Sequence, residues 1–435
     1  MTQNPKTSLK KTNIPWIWEI PEDWEVLPIR WLFFETDLRS KSWEETLLSV
    51  SQYTWVTKRE DNIDTEVDNL TNASTLEWYK IVREKDLVIN IMLAWNWSLA
   101  VSNYDGITSP AYATFQAKED THPEYFHYLL RTEMMKTEFK RFSTGIIDSR
   151  LRLYPDSFLR IYTIKPPLST QSAIANFLDE KTSKISQFIE NKKNLIELLK
   201  EQKQSIIHRA VTKGIDPSVK MKESGIPWIG EIPEEWEVRR LKTVSKSVQT
   251  WSTPKDPDKN PAFLNGNIPW YWPSDFNDSL ILPNETSKMI NQSAMDDWEL
   301  NLYPENTVFI IWIGATLGKI WLSRVKSSSN QQLNAIILSE RVIPEFWVYF
   351  LNATQEIIKN LANSATLPIL NQTQTKNLFF FLPSLHIQKN IIRHIEKETL
   401  QIDRVIETIE QEITLIEEYQ TSLIYQAVTG KISIS

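Results

Sequence analysis

"IPWIWEIPEDWEV" occupies residues 14–26, and "IPWIGEIPEEWEV" occupies residues 226–238 of the same chain. A thirteen-residue phrase written twice in 435 residues marks an internal duplication. The copies extend well beyond it. "PPLSTQSAIANFLDEKT", from Pro166, is answered by "LPSLHIQKNIIRHIEKET", from Leu382. Gln171 then faces Gln388, Ile174 faces Ile391 and Thr182 faces Thr399. The same offset of 217 sets Ala210, Val211 and Thr212 against Ala427, Val428 and Thr429. Each copy is an entry motif, a variable region of about 130 residues and a long repeated segment.

The repeated segment reads as helix. Apolar residues fall at Ile174, Leu178, Ile185, Ile189, Ile196 and Leu199 in one copy. In the other, Ile395, Ile402, Ile409, Ile416 and Leu423 recur every seven residues. Such spacing predicts a coiled coil, and Gly214 and Gly430 are natural stops. About 43 residues at 1.5 Å each make a rod of roughly 65 Å. Between Gln171 and Lys213 stand eight Lys/Arg and five Asp/Glu; between Ile387 and Gly430 stand four and eight. Opposite net charges favour pairing of the two helices with each other.

The variable regions, 28–165 and 240–381, mix short β-branched runs such as "DLVINIML" and "TVFIIWI" with polar loops. The expected fold class is α+β: two α/β domains with small sheets, joined by two long antiparallel paired helices, internally duplicated. The expected boundaries are 1–165 and 216–381 for the domains, and 166–215 and 382–435 for the helices.

Composition narrows the function. No apolar run reaches the ~18 residues of a membrane span, and "MTQNPKTSLKKTN" lacks the apolar core of a signal peptide. The absence of cysteine excludes disulfides and thiolate-bound metal and fits a cytoplasmic protein. There is no G-x-G-x-x-G, no Walker A, no H-E-x-x-H and no Asn/Asp-Pro-Pro-aromatic tetrapeptide. His122 and His127 read as surface or core residues, and His208 as a cation near a helix C-terminus. No catalytic constellation emerges.

Residues 131–165 carry eight Lys/Arg against four acids within an otherwise acidic chain of net charge −7. Arg150 and Arg152 alternate with Leu151 and Leu153, so an extended backbone would project both charges to one side. Phosphate or base contact suits them, as does an ordinary solvated edge. The matching stretch of the second half, "NSATLPILNQTQTKN", offers amides that suit base edges and turns alike. With the polar loops "NWSLAVSNYDG" and "SSSNQQLN", the DNA-contact candidates are Lys58, Arg59, Asn96, Ser98, Asn103, Arg141, Arg150 and Arg152 in the first half. In the second half they are Lys319, Gln331, Gln332, Asn371, Gln372 and Gln374.

Taken together and duplicated, "IPWIGEIPEEWEV", "LLSVSQYTWVTKRE", "LAWNWSLAVSNYDGITSPAY", "DSRLRLYPDSFLRI", "PPLSTQSAIANFLDEKTSKI" and "LPILNQTQTKNL" resemble the specificity subunit of Type I restriction–modification systems over nearly the full length. The resemblance implies two target-recognition domains, each reading half of a bipartite double-stranded DNA site, with the helices setting the unread spacer. It implies a non-catalytic chain that binds no cofactor of its own. Two methyltransferase subunits would dock on it, carry S-adenosylmethionine and methylate flipped adenines, and a translocating restriction subunit would join them. A stand-alone methyltransferase or nuclease with an unfamiliar site, or a coiled-coil scaffold, is the competing class.

One count stands apart: 18 Trp against 9 Gly, where about 30 Gly are usual for this length. Trp18 faces Gly230 between the copies. Aligned with the family resembled, Trp18, Trp55, Trp97, Trp251 and Trp321 occupy positions where glycine is usual, whereas Trp16/Trp228 and Trp24/Trp236 match. We read this as a glycine codon, a reassigned stop, rendered as Trp. Some of these side chains are then expected to be strained or exposed.

Overall fold

The structure is a computed structural model that describes residues 8–14, 16–41, 45–51, 54–61, 78–227, 229–251, 253, 266–275, 280–291, 300–314, 316–361 and 369–434. It divides into two compact units, residues 1–192 with 410–435, and residues 193–409.

Two long helices run Leu168–Lys213 and Leu385–Val428. In the first unit, Ile174 and Leu178 share a core with Leu423, Ala427 and Val428, while Lys192 meets Glu412 at 2.6 Å. In the second, Ile207 and Val211 share a core with Ile391 and Ile395, while Lys203 meets Asp403 at 2.6 Å. In each unit one helix climbs as the other descends, so the pairing is antiparallel. Both ion pairs are part-exposed and worth a few tenths of a kcal/mol, so they mark register while the apolar stripe supplies stability. Of the eleven expected packing residues, Ile189, Leu199 and Ile416 are half-buried and the rest are buried. A two-helix rod has only one inner face, which leaves Val405 and Leu415 in solvent.

The first helix ends at Lys213 with Gly214 at φ 76°; the second ends at Val428, and Gly430 lies at φ 72°. At Gly430 the requirement is double, since a Cβ would stand 2.7 Å from Pro21 and 3.1 Å from Trp24. The repeated entry motif is therefore structural, because in the first unit it receives the end of a long helix. In the second unit Gly214 lies against Pro233 and Trp236 in the same way. Trp24 and Trp236 are buried, as are Ile20 and Ile232; Trp228 lies outside the described residues. The strand that follows each motif pairs with the strand that feeds a long helix, Glu25–Pro28 with Tyr162–Lys165 and Glu237–Arg240 with Phe379–Leu382.

Each unit is built on a four-stranded antiparallel sheet. Its spatial order is Phe33–Thr36, Ala113–Ala117, Leu87–Ile89, Leu99–Val101 in the first. In the second it is Ser245–Gln249, Leu333–Leu338, Thr307–Ile311, Ile320–Ser323. These pairings make each domain α+β. Alternation sorts the side chains: Val308 and Ile310 enter one core, Phe309 and Ile311 another. Leu87 and Ile89 likewise part from Val88.

The tryptophans divide. Trp55 and Trp97 hold left-handed backbone at φ 63° and 62°, where a large side chain is a rare occupant. Trp78, which the sequence reading passed over, does so at φ 71°. Trp97 takes the place in the sheet connection that Gly318, at φ 83°, takes in the second unit. Trp18 is exposed but extended, within the strand Ile17–Pro21, although Gly230 is left-handed. Trp251 and Trp321 are also absent from the left-handed region, and Trp321 is buried in the strand Ile320–Ser323. For these three the backbone makes no demand for glycine, and of them Trp18, 70% exposed, meets the expectation through its exposure alone.

Candidate nucleic-acid interface

In the first unit, the connection from Leu87–Ile89 to Leu99–Val101 turns through Ala94–Asn96 and lies against the helix Glu133–Phe142. Cations of that helix cover its indoles: the Lys136 ammonium is 3.7 Å from the Trp97 ring centre and Lys140 is 5.7 Å from Trp95. The Leu153 N–H donates to the Ile91 carbonyl and Lys140 reaches Asp148 at 2.9 Å, which brings the loop of Arg150 and Arg152 to the same end of the sheet. Leu151 and Leu153 are buried, Arg150 is exposed and Arg152 half-buried, although Arg150 closes a 3-10 turn at Asp148–Arg150 rather than lying in an extended strand. The Arg150 guanidinium forms no ion pair among the described residues, whereas Glu138 holds Arg141 at 2.5 Å.

Sequence reasoning placed other candidates imperfectly. Ser98 is fully buried and donates to the Val50 carbonyl at 2.8 Å, so its hydroxyl ties the hairpin Leu48–Ser51/Trp55–Lys58 to the sheet rather than facing DNA. Asn103 follows the strand Leu99–Val101 and leaves the sheet at the end opposite Asn96. There Lys58 stands over the Tyr104 ring, 5.7 Å from its centre, and Arg59 follows Lys58 in a short turn. The first-half candidates thus form two groups.

Arg131 belongs to the frame. It donates to the Trp97 and Leu99 carbonyls at 3.0 and 2.9 Å, and burial lowers its pKa to about 10. Its neighbour His127 is half-buried, accepts from the Val101 N–H, and is pushed down to about 3 by desolvation first and by Arg131 second. His208 is exposed on the helix surface; partial desolvation, with Lys213 beside it, lowers its pKa and disfavours the cation expected there.

In the second unit, amides gather at the corresponding sheet end. The Trp312 indole donates to the Gln331 carbonyl at 2.6 Å, its backbone N–H to Gln332, and its carbonyl accepts from Leu370. Trp312 therefore joins the loop of Gln331 and Gln332 to the segment of Asn371, Gln372 and Gln374. Lys319, exposed, opens the adjacent strand and accepts through its carbonyl from the Ile311 N–H. Asn371 and Gln374 form a reciprocal capping box on the helix Gln372–Lys376, each side chain accepting from the other's backbone at 2.9 Å. Those two carbonyl oxygens are therefore engaged in the cap. Among the described residues no cluster of three or more His, Asp or Glu could hold a metal, and no helix is long and apolar enough to cross a membrane.

Residues 233–418 match the model of the Type I restriction modification DNA specificity domain. The chain is 25% identical to the Type I restriction enzyme MjaVIII specificity subunit of Methanocaldococcus jannaschii, covering 95% of this chain and 94% of that one. Its fold is similar to a chain solved in work on complex assembly and conformational transition of the type I R-M system, with TM-score 0.72 over 96% of this chain and 100% of that one, at 14% identity. The HsdS subunit of Thermoanaerobacter tengcongensis matches with TM-score 0.55 over 95% and 98%, also at 14% identity.

Proposed function

We propose that the chain is a DNA specificity subunit of a Type I restriction–modification system, as its similarity to that family supports, and that it reads an asymmetric bipartite target in double-stranded DNA, one half-site per recognition domain. As a specificity subunit it is the recognition component and not the catalyst. The observation that carries the bipartite reading is one frame with two surfaces. The same four-stranded sheet presents cations and indoles at one end in the first unit, and amides at the matching end in the second. Cations neutralise phosphate with little regard to sequence, whereas amides match base edges.

In this reading residues 1–165 and 216–381 are the recognition domains, and 166–215 and 382–435 are the spacer. Other subunits of the system complete the complex: two methyltransferase subunits, which bring S-adenosylmethionine, and a restriction translocase. The assembly works in the cytoplasm, where its DNA is. Methylome sequencing of a host carrying this gene with its methyltransferase tests the proposal. The expected result is adenine methylation in two unlike half-sites separated by a fixed unread gap; an uninterrupted palindrome overturns it. The purified chain alone, given DNA and S-adenosylmethionine, is expected to leave the DNA uncut and unmethylated.

A further inference from the structure

Gln171 and Gln388, paired by the duplication, are both completely buried and make the same set of bonds. The Gln171 side-chain carbonyl accepts from the His122 N–H at 2.8 Å, and its NH₂ donates to the Asp120 and Pro166 carbonyls at 3.2 and 2.8 Å. The Gln388 side-chain carbonyl accepts from the Ile343 N–H at 2.8 Å, and its NH₂ donates to the Arg341 and Pro383 carbonyls at 3.0 and 2.9 Å. His122 and Ile343 are the N-caps of the helices Pro123–Leu130 and Pro344–Ala353. Neither residue offers a side-chain cap there, so the glutamine supplies an acceptor to the helix entrance from outside. Each amide joins three pieces of chain: the first turn of a long helix, the elbow that leads into it, and the entrance of a domain helix.

One amide would suffice to satisfy buried groups. Three bonds in divergent directions, on a side chain without room to turn, also fix an angle. From Gln171 to Lys213 the helix advances roughly 65 Å. A turn of about 3° at its root moves the far end by roughly 3.4 Å, the rise of one base pair. A hinge with even this much freedom would blur a count of unread base pairs. We propose that Gln171 and Gln388 are positioning residues that lock each recognition domain to its long helix, and that they, with the helix length, make the gap between half-sites single-valued. This rests on the bipartite reading above. It assigns the glutamines no contact with DNA.

The test uses the full chain, co-expressed with its methyltransferase subunit in a host without other adenine methylation. Gln171→Met and Gln388→Met keep the volume and remove all three bonds. Gln171→Glu and Gln388→Glu keep the acceptor for the domain-helix N–H and are the alternatives where Met does not yield folded protein. The expected result is that both half-site sequences stay as in the parent, while the ratio of methylation at the parent gap to that at gaps one base pair shorter or longer falls by about tenfold, a 1.4 kcal/mol change in discrimination. Thermal unfolding is measured in parallel. A lowered unfolding temperature with methylation reduced at a single unaltered gap would show that the amides only hold the fold together, and overturns the proposal. Insoluble Met and Glu variants at both positions overturn it likewise. A parent chain that yields no gapped motif defeats the bipartite reading instead, a result that does not depend on the variants.

Discussion

The two units share a skeleton to the level of single hydrogen bonds and differ in what they expose. Ile20 and Ile232, Trp24 and Trp236, Gln171 and Gln388 are buried in matching places. At the sheet ends, by contrast, Lys136 lies over Trp97 in one unit, whereas in the other Gly318 takes the place of Trp97 and Trp312 bonds to a glutamine loop. The difference teaches that duplication preserved what must be rigid and released what must discriminate. Damage to the shared skeleton should silence both half-sites together, and damage to an exposed end should alter one.

The largest effect is expected from the skeleton. Removing residues 193–199 from the first long helix alone shifts every later packing position against the unaltered second helix. Methylation should be lost at all sites, with a drop in unfolding temperature. Removing one heptad from each helix, at facing positions, restores packing and shortens the rod by about 10 Å. That corresponds to roughly three base pairs of gap. A matched deletion that leaves the gap unchanged would remove the helices from the role of ruler.

Acid should separate the units next. In the chain segments His122–Pro123 and Ile343–Pro344, the two domain helices start alike, so His127, half-buried, corresponds to Val348, which is buried. His127 is neutral in the fold, with its pKa lowered to about 3 by desolvation, while the unfolded ring titrates near 6.5. Below about pH 6.5 the unfolded chain binds a proton that the folded unit refuses. The stability contributed is therefore full above that pH and is lost as pH falls toward 3, at up to about 1.4 kcal/mol per pH unit. Hydrogen exchange at pH 7 and pH 4.5 should show the first unit loosening in acid more than the second. His127→Val, which writes in the second unit's residue, should remove the excess.

Much of this was legible in sequence, and the gaps have physical causes. The heptads, the glycine stops and the duplication are local or repeated patterns, and they appear in the structure where sequence placed them. Asn371 and Gln374 carry the N-x-x-Q spacing of a capping box, a signal that sequence reasoning read only as polar. The glutamine clamps left a trace as aligned letters, but their partners are backbone atoms 49 and 45 residues away, and backbone atoms have no letter. Ser98 lies in a polar-looking loop, and its burial depends on a hairpin 48 residues earlier. The candidate contact residues suffer from the same blindness, because which end of a strand a loop leaves is a property of the sheet.

The exposed ends predict smaller and unlike effects. Arg150→Ala should weaken binding about equally across sequences, and lower the slope of log affinity against log salt by about one. Gln331→Ala with Gln332→Ala should leave that slope alone and relax base preference in the second half-site, by about 1–3 kcal/mol for a bidentate contact. Binding titrations of the assembled methyltransferase across salt and across single-base variants measure both. If Arg150→Ala changes which base is preferred, the division into a phosphate-facing and a base-reading end fails.

The smallest effect concerns the left-handed tryptophans, all of which, among the described residues, lie in the first unit. In the second unit the left-handed positions of the sheet connection, 314 and 318, are glycine. Trp78 gives the cleanest comparison: its side chain is 70% exposed, and its hydrogen bonds to Ser40 and Arg39 run through its backbone. Trp78→Gly removes a left-handed penalty of about 1–2 kcal/mol and adds about 0.5–1 kcal/mol of chain entropy. A net gain between zero and about 1.5 kcal/mol is expected, a rise of roughly 3–6 °C at most in the unfolding of that unit. Trp97→Gly should gain less, because the indole packs under Lys136 and donates to the Thr132 carbonyl. Gly318→Trp should cost stability, with a left-handed φ and a Cβ 3.3 Å from Gln355. The gene offers the sharper test. If a reassigned stop codon stands behind these residues, Trp18, Trp55, Trp97, Trp251 and Trp321, and with them left-handed Trp78, are encoded by TGA, whereas Trp16, Trp24, Trp228 and Trp236 are encoded by TGG. TGG at all of them would leave the strain real and end the recoding account.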